Sequence, residues 1–278
     1  MNSKVVSHLK IFATNGAGVK NGKVDSLNAE VRSTQSNIVM VQETHCSQKG
    51  KIHMDNHFVV FEAIRKRKGG GTLMAVHEDL NPKLIEEYDE DFELLVVETN
   101  TKQKTIRLIS GYGPQENWDE DKRVPFFLAL ETEIEKAELE GKSVIIELDA
   151  NAKLGPNFIS GDPHKMTPNG GLLAGIITRH NLIVGNGSSK CSGTITRQRR
   201  TKTRSEKSVI DTVIFSPDLK KHFINMHVDE QRKHVLTRIS KSKKGVRMKE
   251  SDHNVVIAEF ECNPIDDKDN KKVEVYNL

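Results

Sequence analysis

Apolar residues recur along this chain in two periods, and the switches between them outline alternating strands and helices. Val5, Val6, Leu9 and Ile11 predict a strand over Lys4–Ala13, ending at Thr14-Asn15-Gly16-Ala17-Gly18, where two glycines make a sharp turn. Val24, Leu27 and Val31 then fall at helical spacing. Ile38–Val41 reads as a buried strand running into Gln42-Glu43-Thr44-His45, and Phe58–Phe61 and Thr72–Val76 as two more, separated by a basic, glycine-rich turn from Arg65 to Gly71. Glu93–Glu98 and Thr105–Gly111 read as an antiparallel pair leaving at Tyr112-Gly113-Pro114. Phe127, Leu130 and Ile134 mark a long helix over Asp121–Glu140, stopped by Gly141. Val144–Leu148 is a central strand, followed by a Gly/Pro-rich loop over 155–171, a short helix at Leu172–His180 and a strand at Leu182–Val184. Val209–Phe215 and Asn254–Phe260 are the last strands; beyond Pro264 the chain turns polar and charged, so 1–262 is read as one domain and 263–278 as a linker or tail.

The central strand carries the first chemical signal. It ends in Asp149-Ala150-Asn151, and side chains two apart on a strand leave the same face, so an acid and an amide point together from a carboxyl end. Such a pair can orient a water and hold a phosphoryl oxygen or a metal, although both residue types also favour plain turns. The same kind of polar end recurs at Asn15, Glu43, Tyr112 and Asp252/His253, with Asp211 inside the strand before the last. Carboxylates and amides with a single imidazole suit a hard cation on oxygen ligands better than zinc. Taken singly, Asn15 before Gly16 and Tyr112 before Gly-Pro are also explained as turn and strand-exit residues. An acid at Asp211, within a β-branched strand, needs a partner, and His253 is the candidate.

Composition narrows the class. At 278 residues and 36% apolar content the chain can bury a sizeable core, and it contains no run long enough for a membrane span and no signal-peptide core. Three widely spaced cysteines (Cys46, Cys191, Cys262) predict reduced thiols in a nuclear or cytoplasmic, non-secreted protein. The overall charge of +3 is unevenly spread: residues 197–207 hold six basic residues against one acid, and 231–249 hold eight with none, which leaves the rest acidic. Concentrated positive segments on an acidic body point to a polyanion, to solvated mobile loops or, for the first, to a nuclear-import signal.

In order along about residues 8–261, Thr-Asn15, Val-Gln42-Glu43-Thr-His, Gly-Tyr112-Gly-Pro114, Leu-Asp149-Ala-Asn151-Ala, Val-Ile-Asp211 and Ser251-Asp252-His253 resemble the exonuclease–endonuclease–phosphatase superfamily. The likeness is greatest to the endonuclease domain of LINE-type (non-LTR) retrotransposons. The resemblance implies a four-layer α/β sandwich, two face-to-face mixed sheets flanked by helices. It implies Mg²⁺, with Mn²⁺ as a substitute, on Glu43 with Asn15 and Asp252 nearby through water. It further implies that Asp149 positions or deprotonates the attacking water, that Asn151 and Tyr112 hold the phosphate, and that Asp211 orients His253. The partner it implies is double-stranded DNA, gripped by Arg197, Arg199, Arg200, Lys202 and Arg204 with Thr194 as a candidate phosphate contact, and a reverse transcriptase domain following on the C-terminal side.

Two positions depart from the family pattern. Leu148 stands where the family usually has Gly, which bears on local backbone geometry, and Ala17 stands where a second Asp or Asn is frequent, which weakens a two-metal site. The function expected is a Mg²⁺-dependent endonuclease that nicks DNA and leaves a 3′-hydroxyl for target-primed reverse transcription. A phosphomonoesterase or inositol-phosphate phosphatase of the same fold, an apurinic/apyrimidinic endonuclease and a non-catalytic DNA-binding domain are the alternatives.

Overall fold

The computed structural model describes residues 8–19, 22–55, 57–65, 69–88, 93–101, 104–200, 205–242 and 245–261; the 263–278 tail, Lys202 and Arg204 lie outside them, as do the side chains of Arg200 and of residues 238–249. In chain order the elements are β1 (His8–Asn15), α1 (Lys23–Thr34), β2 (Ile38–Gln42), β3 (Phe58–Ala63), β4 (Thr72–His77), β5 (Lys83–Tyr88), β6 (Glu93–Asn100), β7 (Thr105–Tyr112), α2 (Glu120–Leu139) and β8 (Ser143–Asp149). There follow α3 (Pro168–Arg179), β9 (Ile183–Val184), β10 (Cys191–Ser192), β11 (Arg197–Arg200), β12 (Ser205–Ser208), β13 (Asp211–Phe215), β14 (Phe223–Val228), β15 (Thr237–Ser242), β16 (Gly245–Glu250) and β17 (Val256–Glu261).

Two mixed sheets face each other. The seven-stranded sheet runs β10-β14-β17-β1-β2-β4-β3 and the six-stranded sheet β5-β6-β7-β8-β13-β9, while β11-β12 and β15-β16 stand apart as hairpins. Strand alternation divides their side chains. Ile11, Ala13 and Met40 from one sheet meet Leu108, Ile145 and Val213 from the other in the central core. Their neighbours Phe12, Val39 and Val41 turn outward onto Leu27 and Val31 of α1. On the far side Ile146, Leu148 and Ile214 turn outward onto Phe126 and Leu130 of α2 and Leu173 of α3. Burial on both faces explains why the central strands are continuous apolar runs. The result is the four-layer sandwich, helix–sheet–sheet–helix.

Three details differ from the periodicity. The first helix turn of α3 begins at Pro168 rather than Leu172, because Thr167 caps it through Gly170 N (3.4 Å) and proline suits the first helical position. Strand β14, absent from the periodicity reading, is six residues long with polar Asn225 and His227 at its exposed positions. The first basic segment and the later part of the second, from Thr237, form β-hairpins in their described residues, while 231–236 is irregular. Under α2, Arg107 of β7 is buried among Glu98, Glu133 and Glu140, with its nearest ion pair at 2.6 Å from Glu98. Removing one member of such a group costs about 3–5 kcal/mol.

Candidate active site

The two sheets bring their polar strand ends to one rim. Asp149 ends β8 and Asp211 begins β13, and the antiparallel register sets them directly opposite one another. Both side chains point between the sheets, on the same face as Ile145 and Val213. From the other sheet, His253 completes the group just before β17. Its Nδ1 lies 2.9 and 3.0 Å from the two oxygens of Asp211, and its Nε2 lies 3.8 Å from Asp149 Oδ2. All three are buried.

Asn15, at the end of β1, donates from Nδ2 to Asp149 Oδ2 at 2.7 Å, while its Oδ1 accepts from Ala17 N at 2.9 Å. Ser251 donates to the Asn15 carbonyl at 2.6 Å and accepts from His253 N at 3.1 Å, so the Ser-Asp-His turn is fastened to the first strand. Asn151 sits in the left-handed region (φ 45°), donates to Gly113 O at 2.9 Å and stands two residues from Asp149. Leu148 does not disturb this end. It points away from the site into the α2 core, and β8 keeps its register through Leu148 and Thr212 up to Asp149.

Glu43 follows β2, beside Asn15 on the same end of the seven-stranded sheet. Tyr112 donates its hydroxyl to Glu43 Oε1, and His45 Nε2 lies 3.7 Å from Oε2. The Glu43 loop is clamped on both sides: Gly18 N donates to Glu43 O at 2.7 Å, and Thr44 N and His45 N donate to Gly71 O and Gly70 O. Gly71 has φ +89°, and a Cβ there would lie 2.5 Å from Thr44 Oγ1, which is the physical reason for that glycine. Of the eight non-glycine residues with positive φ among the described residues, four (Ala17, Glu43, His45, Asn151) lie in these loops. Strained backbone of this kind gathers where a site is over-determined by its surroundings.

The electrostatics divide the rim in two. Burial pushes the Asp149 carboxyl upward, opposed by His253 and reinforced by Asp211. Burial also pulls the His253 imidazole down, yet the negative charges of Asp211 and Asp149 outweigh it and raise it above its ordinary value. Glu43 behaves in the opposite way. Burial pushes it up, but contacts from His45 and Tyr112 bring it to about 2, so it is a full carboxylate at neutral pH. The Tyr112 hydroxyl is held well above its ordinary value by burial and by the charges of Glu43 and Asp149, so it remains a donor.

Two donor groups suit a cation. Glu43 is ionised, its side chain is 26% exposed, and its surroundings offer oxygen, which fits a hard divalent ion that keeps most of its waters. Asp149, Asp211 and His253 also present ligand atoms within 4.8 Å of one another, although His253 Nδ1 is already committed to Asp211. The nearby acid Asp252 is engaged differently: its Oδ2 accepts from Arg197 Nε at 3.0 Å, and Arg197 Nη2 lies 2.9 Å away.

Arg197 therefore belongs to the wall of the site. The strand β11 continues onto the Ser-Asp-His turn, with Gln198 N donating to Asp252 O at 2.7 Å and Asn254 N to Thr196 O at 2.6 Å. Arg199 on this hairpin is exposed, whereas Thr194 lies in a turn that donates its N–H to Glu230 at 2.6 Å. A cavity of 460 Å³ opens between Asn151, Lys153, His164 and the hairpin residues Arg197 and Lys207.

Several positioning residues escaped the pattern. Thr196 is fully buried and accepts from both Ile210 N and Asp211 N at 3.0 Å, and Asn186 brackets the same strand through Asp211 O and Val213 N. Asn169 reaches from α3 to Pro114 O at 2.8 Å and Asn151 O at 3.4 Å, joining the loops after β7 and β8. The Thr167-Pro168 helix start was the one signal that could have drawn attention to Asn169.

No protein-family model matches this chain, and no curated protein matches it by sequence. Solved structures do. The endonuclease domain of TRAS1, a telomere-specific non-LTR retrotransposon, superposes with a TM-score of 0.63 at 19% identity, covering 91% of this chain and 98% of its own. The AP endonuclease LMAP from Leishmania major gives 0.70 at 12% identity, covering 92% and 88%. TDP2 from D. rerio, complexed with single strand DNA product, gives 0.58 at 14% identity, covering 92% and 99%. The chain has the exonuclease–endonuclease–phosphatase fold. In this fold the chain gathers Asn15, Asp149, Asp211 and His253 into one cluster, in which Asn15 bonds Asp149 and His253 bonds Asp211, with Glu43 and Tyr112 forming a second pair beside it.

Proposed function

We propose that the protein is a Mg²⁺-dependent endonuclease that hydrolyses one phosphodiester of double-stranded DNA, leaving a 3′-hydroxyl and a 5′-phosphate. The observation that carries this reading is the buried Asp211–His253–Asp149–Asn15 group beside the Glu43–Tyr112 pair, next to a cavity lined by Asn151, Arg197, Lys153 and Lys207. Asp149 is placed to take a proton from water: Asn15 fixes one oxygen, and burial makes the carboxylate more basic than usual. The water oxygen forms the new bond to phosphorus while the bond from phosphorus to the 3′ oxygen breaks, and that oxygen leaves as the hydroxyl once protonated. His253, held cationic by Asp211, faces the charge that accumulates on the phosphoryl oxygens. Asn151 and Tyr112 donate to the same group. A divalent cation on Glu43, with Asn15 further out, would supply Lewis-acid charge there, while Asp252 is held by Arg197 instead; Mn²⁺ satisfies the same oxygen donors.

A role in target-primed reverse transcription, with a reverse transcriptase in the same polypeptide, is supported by the likeness to a retrotransposon endonuclease domain. Supercoiled plasmid incubated with Mg²⁺ tests the proposal. Nicked circles that serve as primers for a polymerase without prior end repair are expected, with no nicking in chelator or by His253→Ala. Release of phosphate from an inositol phosphate in place of nicking would move the substrate class to the phosphatase alternative.

A further inference from the structure

The chain has a single tryptophan, and it stands beside Glu43 without a part in the chemistry assigned above. Trp118 lies in the loop between β7 and α2. That loop is pinned at both ends, by Trp118 N donating to Gln115 O at 3.1 Å and Arg123 Nε donating to Trp118 O at 2.9 Å. The indole is half-buried, and the guanidinium of Arg65 sits 5.6 Å from its ring centroid. Arg65 is itself fixed: its Nε lies 3.2 Å from Oε1 of Glu93, whose side chain is 1% exposed.

The glycine turn exists to permit this pair. Gly70 has φ +70°, and a Cβ there would fall 2.4 Å from Glu93 Oε1 and 2.7 Å from Arg65 Cδ. The same residue accepts from His45 N at 2.8 Å, so the pair and the Glu43 loop share one support. Trp118, Arg65, Glu43, Tyr112 and Gln115 all wall one cavity, on the side of Tyr112 away from Lys153 and Lys207. A flat aromatic surface and an oriented guanidinium, in the same cavity as the Glu43–Tyr112 pair, match the two parts of a nucleotide: a planar base and an anionic linkage.

We propose that Trp118 and Arg65 form a subsite for a nucleotide of the cut strand next to the scissile phosphate, with its base turned out of the duplex against the indole and its neighbouring phosphate on the guanidinium. The proposal rests on the nuclease reading and assigns which residues position the strand. Because Trp118 is the sole tryptophan, its fluorescence reports the subsite directly. Wild-type protein in chelator, titrated with a duplex oligonucleotide, should show a change in emission that saturates with the gel-shift isotherm. Trp118→Ala should raise KM for nicking about five- to 150-fold, the range of one lost base–aromatic stack, with kcat within about threefold. Trp118→Phe should recover most of that loss. Emission that stays constant while the gel shift shows binding, or an unchanged KM in Trp118→Ala, overturns the subsite alone. Absence of gel shift and nicking in the wild type overturns the nuclease reading, and the subsite with it.

Discussion

His253 and Asp211, 42 residues apart in the chain, meet through Nδ1 and both carboxylate oxygens at 2.9 and 3.0 Å. This fixes which ring nitrogen faces Asp211 and turns Nε2 toward Asp149 at 3.8 Å. Replacing Asp211 with Asn keeps the shape but removes the charge that favours the cationic ring. The expected result is a fall in kcat of about 10²–10⁴, the range of a lost acid–base or charge-positioning group, with DNA affinity within about threefold. Steady-state nicking beside a gel shift measures both; equal losses in kcat and affinity would contradict the assignment.

Arg197 and Arg199 are neighbours in composition but not in role. Arg197 is tied to Asp252, next to His253, whereas Arg199 is exposed on the outer part of the same hairpin. Arg199→Ala should weaken DNA binding and reduce the slope of log K against log salt by about one, as expected for one lost phosphate contact. Arg197→Ala should lower kcat as well, because it releases the Asp252 carboxylate beside the imidazole. A salt titration of affinity together with single-turnover nicking separates the two.

Glu147 supplies a pH test one step below the reacting residues on the same face of β8. It is buried on the inward face of β8, accepts from Gln42, and is driven well above the usual carboxylate range first by burial and then by the charge of Asp211. Folding therefore takes up a proton at pH values above the ordinary 4.5. The stability from this group is complete below that pH and is lost as pH rises toward the folded value, by at most about 1.4 kcal/mol per pH unit. Glu147→Gln mimics the protonated acid at every pH. Its melting temperature should match wild type near pH 4.5 and exceed it increasingly from pH 5 to 8. An advantage that is flat or shrinks with pH would show that Glu147 is ionised in the folded protein.

Much of this site was legible because its residues end strands. Asp149, Asn151 and Glu43 stand where an apolar run stops and His253 just before one begins, and periodicity locates such boundaries well. What connects them was not legible. Thr196 and Asn186 act through paired hydrogen bonds to residues far away in sequence, and nothing in their local pattern distinguishes them from ordinary loop residues. The β11–β12 hairpin was hidden for another reason: charged residues mask strand alternation when a ribbon has no fully buried described position to reveal it. Arg65, Glu93 and Trp118 were scattered over a turn, a strand and a loop, so their meeting is purely tertiary.

Leu148 stands where the resemblance leads one to expect glycine, and the compensating glycine is across the sheet. Gly111 of β7 is the register partner of Leu148, and a Cβ at Gly111 would lie 2.9 Å from Leu148 Cδ2, 2.9 Å from Leu94 Cδ1 and 3.2 Å from Phe126 Cζ. The missing side chain on one strand makes room for the larger one on its neighbour. Gly111→Ala alone should destabilise the fold by about 1–3 kcal/mol through overpacking. Leu148→Ala alone should cost about 2–5 kcal/mol through the cavity it leaves. In the double variant the added methyl occupies part of that cavity, so the combined loss should fall short of the sum by at least about 1 kcal/mol; the contact with Leu94 keeps the rescue incomplete. Urea unfolding of the four proteins closes this cycle. Strict additivity would mean that the two positions do not exchange volume and that the backbone beneath Asp149 tolerates Leu148 by some other route.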